Sequence, residues 1–119
     1  MKINIKTTIK NKEEIKTFKG KAVKNNNQIT YKEENTLTKI KIDDTITIER
    51  KNEYIIILNL KKGIKLKGKY VTKYGNLKLE TYTKEIIKKE NSLKIIYDLI
   101  INDEYIDTFT YYCEYSIDS

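Results

Sequence analysis

Ile64-Lys65-Leu66-Lys67-Gly68-Lys69-Tyr70-Val71-Thr72-Lys73-Tyr74 is the stretch whose reading decides the fold. Its even positions are Ile64, Leu66, Gly68, Tyr70, Thr72 and Tyr74, and its odd positions are Lys65, Lys67, Lys69, Val71 and Lys73. A strand sends successive side chains to opposite faces, so the segment sorts into one apolar-to-aromatic face and one lysine face. A helical period would mix the two sets. The stretch therefore predicts a long antiparallel strand, with its even face on a core and its lysine face in water. Gly75-Asn76 is expected to turn the chain after it.

Working outward, the same period-two pattern recurs along the chain. Ile3, Ile5 and Ile9 oppose Lys2, Lys6 and Lys10 in a first strand. Residues 13–23 form a second strand whose phase breaks, because Ile15 and Thr17 share one parity while Phe18, Gly20 and Ala22 share the other. A bulge or bend near Phe18 to Gly20 would reconcile them. Further strands are expected at 28–34, 37–42, 45–51 and 53–60. They place Ile29 with Tyr31 and Glu33, Ile40 with Ile42, and Ile46 with Ile48 and Arg50. Tyr54 to Leu58 is apolar on both faces, as in a strand that is covered on both sides or faces a partner. After the central stretch, Leu77, Leu79 and Thr81 share a face, and Lys84 to Glu90 reads as the rest of that strand or as a short helical turn. Strand nine alternates Leu93, Ile95, Tyr97, Leu99 and Ile101, and strand ten puts Tyr105, Phe109, Tyr111, Cys113 and Tyr115 on one side. Asn, Asp and Lys pairs mark the turns between them. About ten short strands joined by hairpin-length turns describe an all-β antiparallel meander. A continuous inner face closes such a meander most readily into an up-and-down barrel of about 8–10 strands, one domain over residues 1–119.

Composition agrees with this architecture. Proline is absent, the chain has four glycines, and ten of its twelve aromatic residues are Tyr. The lone cysteine, Cys113, can form no internal disulfide, and MKINIKTTIK has no apolar core of a signal peptide. No run approaches membrane-spanning length. The expectation is a cytoplasmic protein that does not engage a membrane. The formal charge of +7 is concentrated in residues 1–73, and residues 74–119 are net acidic. A basic half suits a polyanion partner. Against that, 23 of the 24 cations are Lys in a chain rich in Ile and Asn, and lysine on the wet face of a strand also guards against edge pairing.

Tyr70-Val71-Thr72-Lys73-Tyr74-Gly75, followed by Leu77, Leu79 and Thr83, resembles the Tyr-x-Thr-x-Tyr-Gly signature of the YwiB-like family. Ile29 to Glu34 is similar to that family's Tyr-x-Glu-Glu strand, Thr47 to Arg50 to its strand ending in a single Arg, and Leu93 to Leu99 to its Leu-x-Ile-x-Tyr-x-Leu strand. Lys73 departs from the Pro common in relatives. The resemblance implies a calycin (lipocalin-like) β-barrel. It implies no established activity.

Several residues stand out chemically. Arg50 is the sole Arg and shares parity with Ile46 and Ile48, so it is expected on the inner face; Glu33 is expected there with Ile29 and Tyr31. An inward guanidinium must be paired or must hold an anion, because an unpaired buried charge is costly. Two readings follow: an internal Arg50 pair with Glu33 or Glu34, or an anchor for the anionic head of a ligand in the barrel mouth. Tyr31, Tyr70, Tyr74 and Tyr97 are the inward tyrosines, able either to fill the barrel or to line a pocket together with Thr72. Tyr54, Tyr82, Tyr111, Tyr112 and Tyr115 interleave with Lys and suit either cross-strand packing or base stacking.

Enzymatic chemistry is not expected. The chain has no His, its one Cys has no imidazole partner, and Glu33-Glu34 and Asp43-Asp44 are adjacent pairs that cannot converge on one substrate. No Gly-rich phosphate loop or metal-ligand spacing occurs, so no cofactor or metal is expected. The expected function is a non-enzymatic binder of a small anionic or amphipathic ligand, with Arg50, Glu33, Tyr31, Tyr70, Thr72 and Tyr74 at the site. The alternative is a basic module that contacts RNA or an acidic protein through Lys65, Lys67, Lys69 and Lys73; a third reading is a protein–protein module that uses Tyr54 to Leu58, and the chain is expected as a monomer or homodimer.

Overall fold

The computed structural model describes residues 1–117. Among them are twelve strands and no helix: β1 (Lys2–Lys10), β2 (Ile15–Asn25), β3 (Gln28–Glu33), β4 (Thr36–Ile42), β5 (Ile46–Lys51), β6 (Ile55–Leu60), β7 (Lys65–Lys67), β8 (Lys69–Thr72), β9 (Gly75–Leu77), β10 (Leu79–Lys89), β11 (Ser92–Ile101) and β12 (Glu104–Ile117). They form one sheet in the order β7-β10-β11-β12-β1-β2-β3-β4-β5-β6-β8-β9, with every ladder antiparallel. The sheet curls into a half-barrel of calycin type, as the alternation predicts. Most neighbours are joined by short hairpins, with β12 and β1 pairing across the termini.

The core is the inner face of this curl. Ile3 and Ile5, Ala22, Ile29 and Tyr31, Ile40, Ile46 and Ile48, Leu58 and Leu60, Ile95 and Tyr97, and Tyr111 and Cys113 are all buried. Each fully buried aliphatic side chain stabilises the fold by about 1.5–3 kcal/mol relative to leaving it in water. On β1, β3, β4, β5 and β11 the buried residues are those the alternation selects.

The central stretch departs from expectation. It is two strands rather than one. Lys65–Lys67 pairs with β10, and Lys69–Thr72 pairs with β6 at the other end of the sheet order. Gly68 is the crossover point: its N–H donates to the Leu79 carbonyl at 2.9 Å, while the next residue, Lys69, pairs with Ile57. A Cβ at position 68 would collide with the Ile57 carbonyl oxygen and lie 2.7 Å from Leu79 Cδ2. Only glycine lets the two backbones approach so closely. Asn59 holds the same seam. Its side chain accepts from Thr47 Oγ1 at 3.1 Å and donates to the Lys67 carbonyl at 2.9 Å, and its own carbonyl accepts from the buried Thr81 hydroxyl at 2.7 Å.

Bulges account for the other differences. The β10–β11 ladder slips between Thr83 and Glu85. Residues 84–89 therefore continue as a strand, with no helical turn, and their inward parity changes from odd to even. The β11–β12 ladder slips between Leu99 and Ile100, skipping Ile106, so Tyr105 leaves the face of Phe109 and is exposed. No bulge lies near Phe18 to Gly20, because β1 and β2 pair in unbroken register from Lys2–Val23 to Lys10–Ile15. The apparent break of phase in β2 is an exposed Ile15. Leu77, predicted inward, sits at the β9 edge and is also exposed.

Gly68→Ala is expected to lower stability by about 1–3 kcal/mol through overpacking at the seam. A reduced urea midpoint with unchanged slope would show it. A midpoint equal to that of the unmodified protein would mean that the seam tolerates a side chain and is not a constraint.

Candidate functional site

The two ends of the half-barrel interior differ in chemistry. At one end the β5 alternation that buries Ile46 and Ile48 carries Arg50 inward. Its register neighbours are Thr38 on β4 and Ile56 on β6. Arg50 Nη2 lies 3.6 Å from Glu33 Oε2, so the structure brings these two predicted site residues together as a half-exposed ion pair. Arg50 Nε and the wholly buried Thr38 hydroxyl have no hydrogen-bond partner among the described residues. Around them stand aromatic rings: Phe18 stacks on Tyr31 at 5.3 Å, Tyr97 stacks on Phe109 at 5.7 Å, and the Tyr31 and Tyr111 hydroxyls lie 3.2 Å apart. Burial raises the phenols of Tyr97 and Tyr111 well above the usual tyrosine range, and the nearby Arg50 charge only partly opposes this. Tyr70 is half-buried and packs against the core. This end is a polar pair plugged by rings.

Thr72 and Tyr74 do not join it. Thr72 Oγ1 donates to the Gly75 carbonyl at 2.8 Å and accepts from the Tyr74 N–H at 3.1 Å, closing the β8–β9 turn. Tyr74 projects from that turn 87% exposed, so its predicted inward position is corrected. The strand alternation ends at the turn, and parity carries no information beyond it. Lys65, Lys67, Lys69 and Lys73 are all exposed, as the lysine face requires. Lys65 lies 3.8 Å from Glu80, and Lys73 sits 5.1 Å above the Tyr74 ring.

The opposite end is open. A cavity of about 230 Å³ is floored by Ile29, Ile40, Ile42, Leu93 and Cys113 and rimmed by Lys24, Lys88 and Lys89 with Asn26 and Asn27. The β10 bulge builds it. Past the slip, Ile86 opposes the buried Ile95, and Lys88 opposes the buried Leu93, so Lys88 stands on the inner line at the mouth. Lys24 donates to the Asn26 carbonyl at 2.7 Å, and Lys88 and Lys89 form no ion pair among the described residues. Tyr115 closes one side, its hydroxyl donating to the Glu90 carbonyl at 2.9 Å. Sequence reasoning named the apolar floor as core but missed the lysine rim, because the β10 bulge leaves only a faint mark in the alternation of LETYTKEIIKK. The one signal was the mismatch between odd Thr81 and Thr83 and even Ile86.

Cys113 is free and buried in the cavity floor. Burial, with a smaller contribution from Glu114, pushes its thiol up to about 12. It is a small apolar surface rather than a nucleophile. Among the described residues no group of three or more His, Cys, Asp or Glu could hold a metal ion. No helix among the described residues is long and apolar enough to cross a membrane.

The family described as a domain of unknown function, DUF1934, matches residues 3–112. The chain belongs to that family. It is similar to a solved structure, the ywiB protein from Bacillus subtilis, at 18% identity and a TM-score of 0.60 over 98% of this chain and 91% of that one. This likeness shows a shared fold and nothing of activity. No curated protein matches the chain. The matched span runs from β1 into β12.

The raised thiol and phenols set a pH dependence. Below about pH 9 these groups are protonated in both the folded and the unfolded chain. Between about 9 and 12 the unfolded chain releases protons that the fold retains, so stability falls as pH rises. Melting temperature is expected to hold near pH 7–8 and to drop steadily above 9, less steeply in Cys113→Ala. A flat profile up to pH 11 would show that these groups are not buried.

Proposed function

We propose that this protein is a non-enzymatic binder of a small amphipathic anion, taken up at the open mouth rather than at Arg50. The observation that carries the reading is the mouth cavity itself: an apolar floor from four strands beneath Lys88 on the inner line, with Lys24 and Lys89 beside it. An apolar floor with a few convergent charges is the usual build of a ligand site. Its volume of about 230 Å³ lies below the ~300–1,000 Å³ of drug-sized pockets, so it suits a short apolar body with one acidic group. Arg50 is answered by Glu33 in a ring-filled end, which supports a structural role for that pair.

Octanoate, 1-octanol and octylamine titrated by calorimetry test the reading. Octanoate is expected to bind tightest. Lys88→Glu is expected to weaken it about fivefold or more, the equivalent of about 1 kcal/mol for a solvent-accessible ion pair. Arg50→Gln is expected to leave octanoate affinity unchanged. Equal affinity for octanoate and octanol would remove the anionic preference. Loss of binding in Arg50→Gln but not in Lys88→Glu would move the site to the plugged end.

A further inference from the structure

The lysines and the tyrosine that face outward on β11, β12, β1 and β2 form a second feature, independent of the mouth. Register fixes their arrangement. Lys6 lies between Lys19 on β2 and Glu114 on β12. Tyr112 lies between Thr8 on β1 and Lys94 on β11. Lys21 follows Lys19 on the same face of β2, beside Asn4. Neighbouring strands stand about 4.8 Å apart, so this set occupies a patch four strands wide. The patch is concave: a groove of about 730 Å³ runs over it, lined by Lys6, Lys19, Lys21, Tyr112 and Glu114 among others.

Charge and stacking capacity coincide here. Lys6, Lys19 and Lys94 form no ion pair among the described residues, and Glu114 is the one acid among the six side chains. The Tyr112 hydroxyl donates to Glu114 Oε2 at 3.3 Å, which holds the ring in the groove between the lysines. An aromatic ring flanked by unpaired cations on a sheet is the arrangement that stacks a base while neighbouring phosphates are neutralised. The Lys65–Lys73 strand lacks this combination. Its tyrosine projects from a turn, and Lys65 is already answered by Glu80.

We propose that the outer face of β11, β12, β1 and β2 binds single-stranded nucleic acid, with Tyr112 stacking a base and Lys6, Lys19 and Lys94 contacting phosphates. The occupant is single-stranded because a base must be free to lie on the ring. An acidic protein would satisfy the lysines but would have no use for the ring.

Fluorescence anisotropy with a labelled twelve-nucleotide oligo-uridine at 50 and 200 mM salt tests this. The protein is expected to bind, with log affinity falling by about 0.7 per log unit of salt for each phosphate contacted. The double variant Lys6→Glu/Lys19→Glu is expected to weaken binding more than tenfold and to flatten the slope. Lys67→Glu/Lys69→Glu has the same net charge on another surface and is expected to change it less than twofold. Tyr112→Ala is expected to cost about tenfold, within the range for loss of one stacked base, and Tyr112→Phe to retain affinity. Urea midpoints of all four variants confirm that the fold persists. No binding at 50 mM salt would overturn the proposal. So would equal losses in the two charge-reversal variants, or unchanged affinity in Tyr112→Ala. Competition by polyglutamate as strong as by unlabelled oligo-uridine would assign the face to an acidic protein instead.

Discussion

The close approach of two backbones at Gly68 is the constraint on which the rest of the structure depends. The sheet is long enough to be a flat ribbon with two distant edges. At Gly68 the chain leaves β10 and joins β6, and so draws the far ends of the strand order together. Asn59 and Thr81 complete the join with hydrogen bonds made on or near the core side. Once the curl is fixed, the inner face must be apolar, and it is. An open ribbon would leave that face in water and its edges free to pair with other chains.

Two bulges then decide what the interior presents. A strand without a slip keeps one parity inward from end to end. In β10 the slip after Thr83 exchanges that parity, so a strand that begins with Leu79 and Thr81 in the core ends with Lys88 at the mouth. The slip in β12 sends Tyr105 outward and keeps Phe109, Tyr111 and Cys113 inward. The mouth differs from the plugged end because of where these slips fall. At one end rings and an ion pair fill the space; at the other, short aliphatic side chains leave a cavity beneath cations.

This explains which features the sequence reveals. Regular alternation in Ile3 to Ile9, Ile29 to Glu33, Ile46 to Arg50 and Leu93 to Tyr97 is a direct image of a pleated, half-buried surface, and those strands were legible together with the meander and the barrel class. The inward Arg50 and its Glu33 partner were legible for the same reason. The crossover at Gly68 was not, since the alternation from Ile64 to Thr72 runs through it unbroken while the hydrogen-bond partners change. Parity records which face a residue takes and says nothing of which strand it pairs with. The bulges were not legible because a single inserted residue, such as the one that shifts Thr83 against Ile86, looks like noise in a short pattern. Tyr74 was misplaced because alternation was extended into a turn, where Thr72 sets the geometry through its hydroxyl. The lysine rim and the outer face of Lys6, Lys19 and Tyr112 needed the register between strands distant in sequence.

In the proposed function the two ends of the protein do different work, a structural plug at Arg50 and a receiving mouth at Lys88. Amide and methyl NMR spectra during an octanoate titration test that division most directly. Perturbations confined to Ile29, Ile40, Ile42, Leu93, Cys113 and the Lys88 strand are the result the account predicts. Perturbations centred on Tyr31, Thr38 and Arg50, with the mouth methyls unmoved, would contradict it.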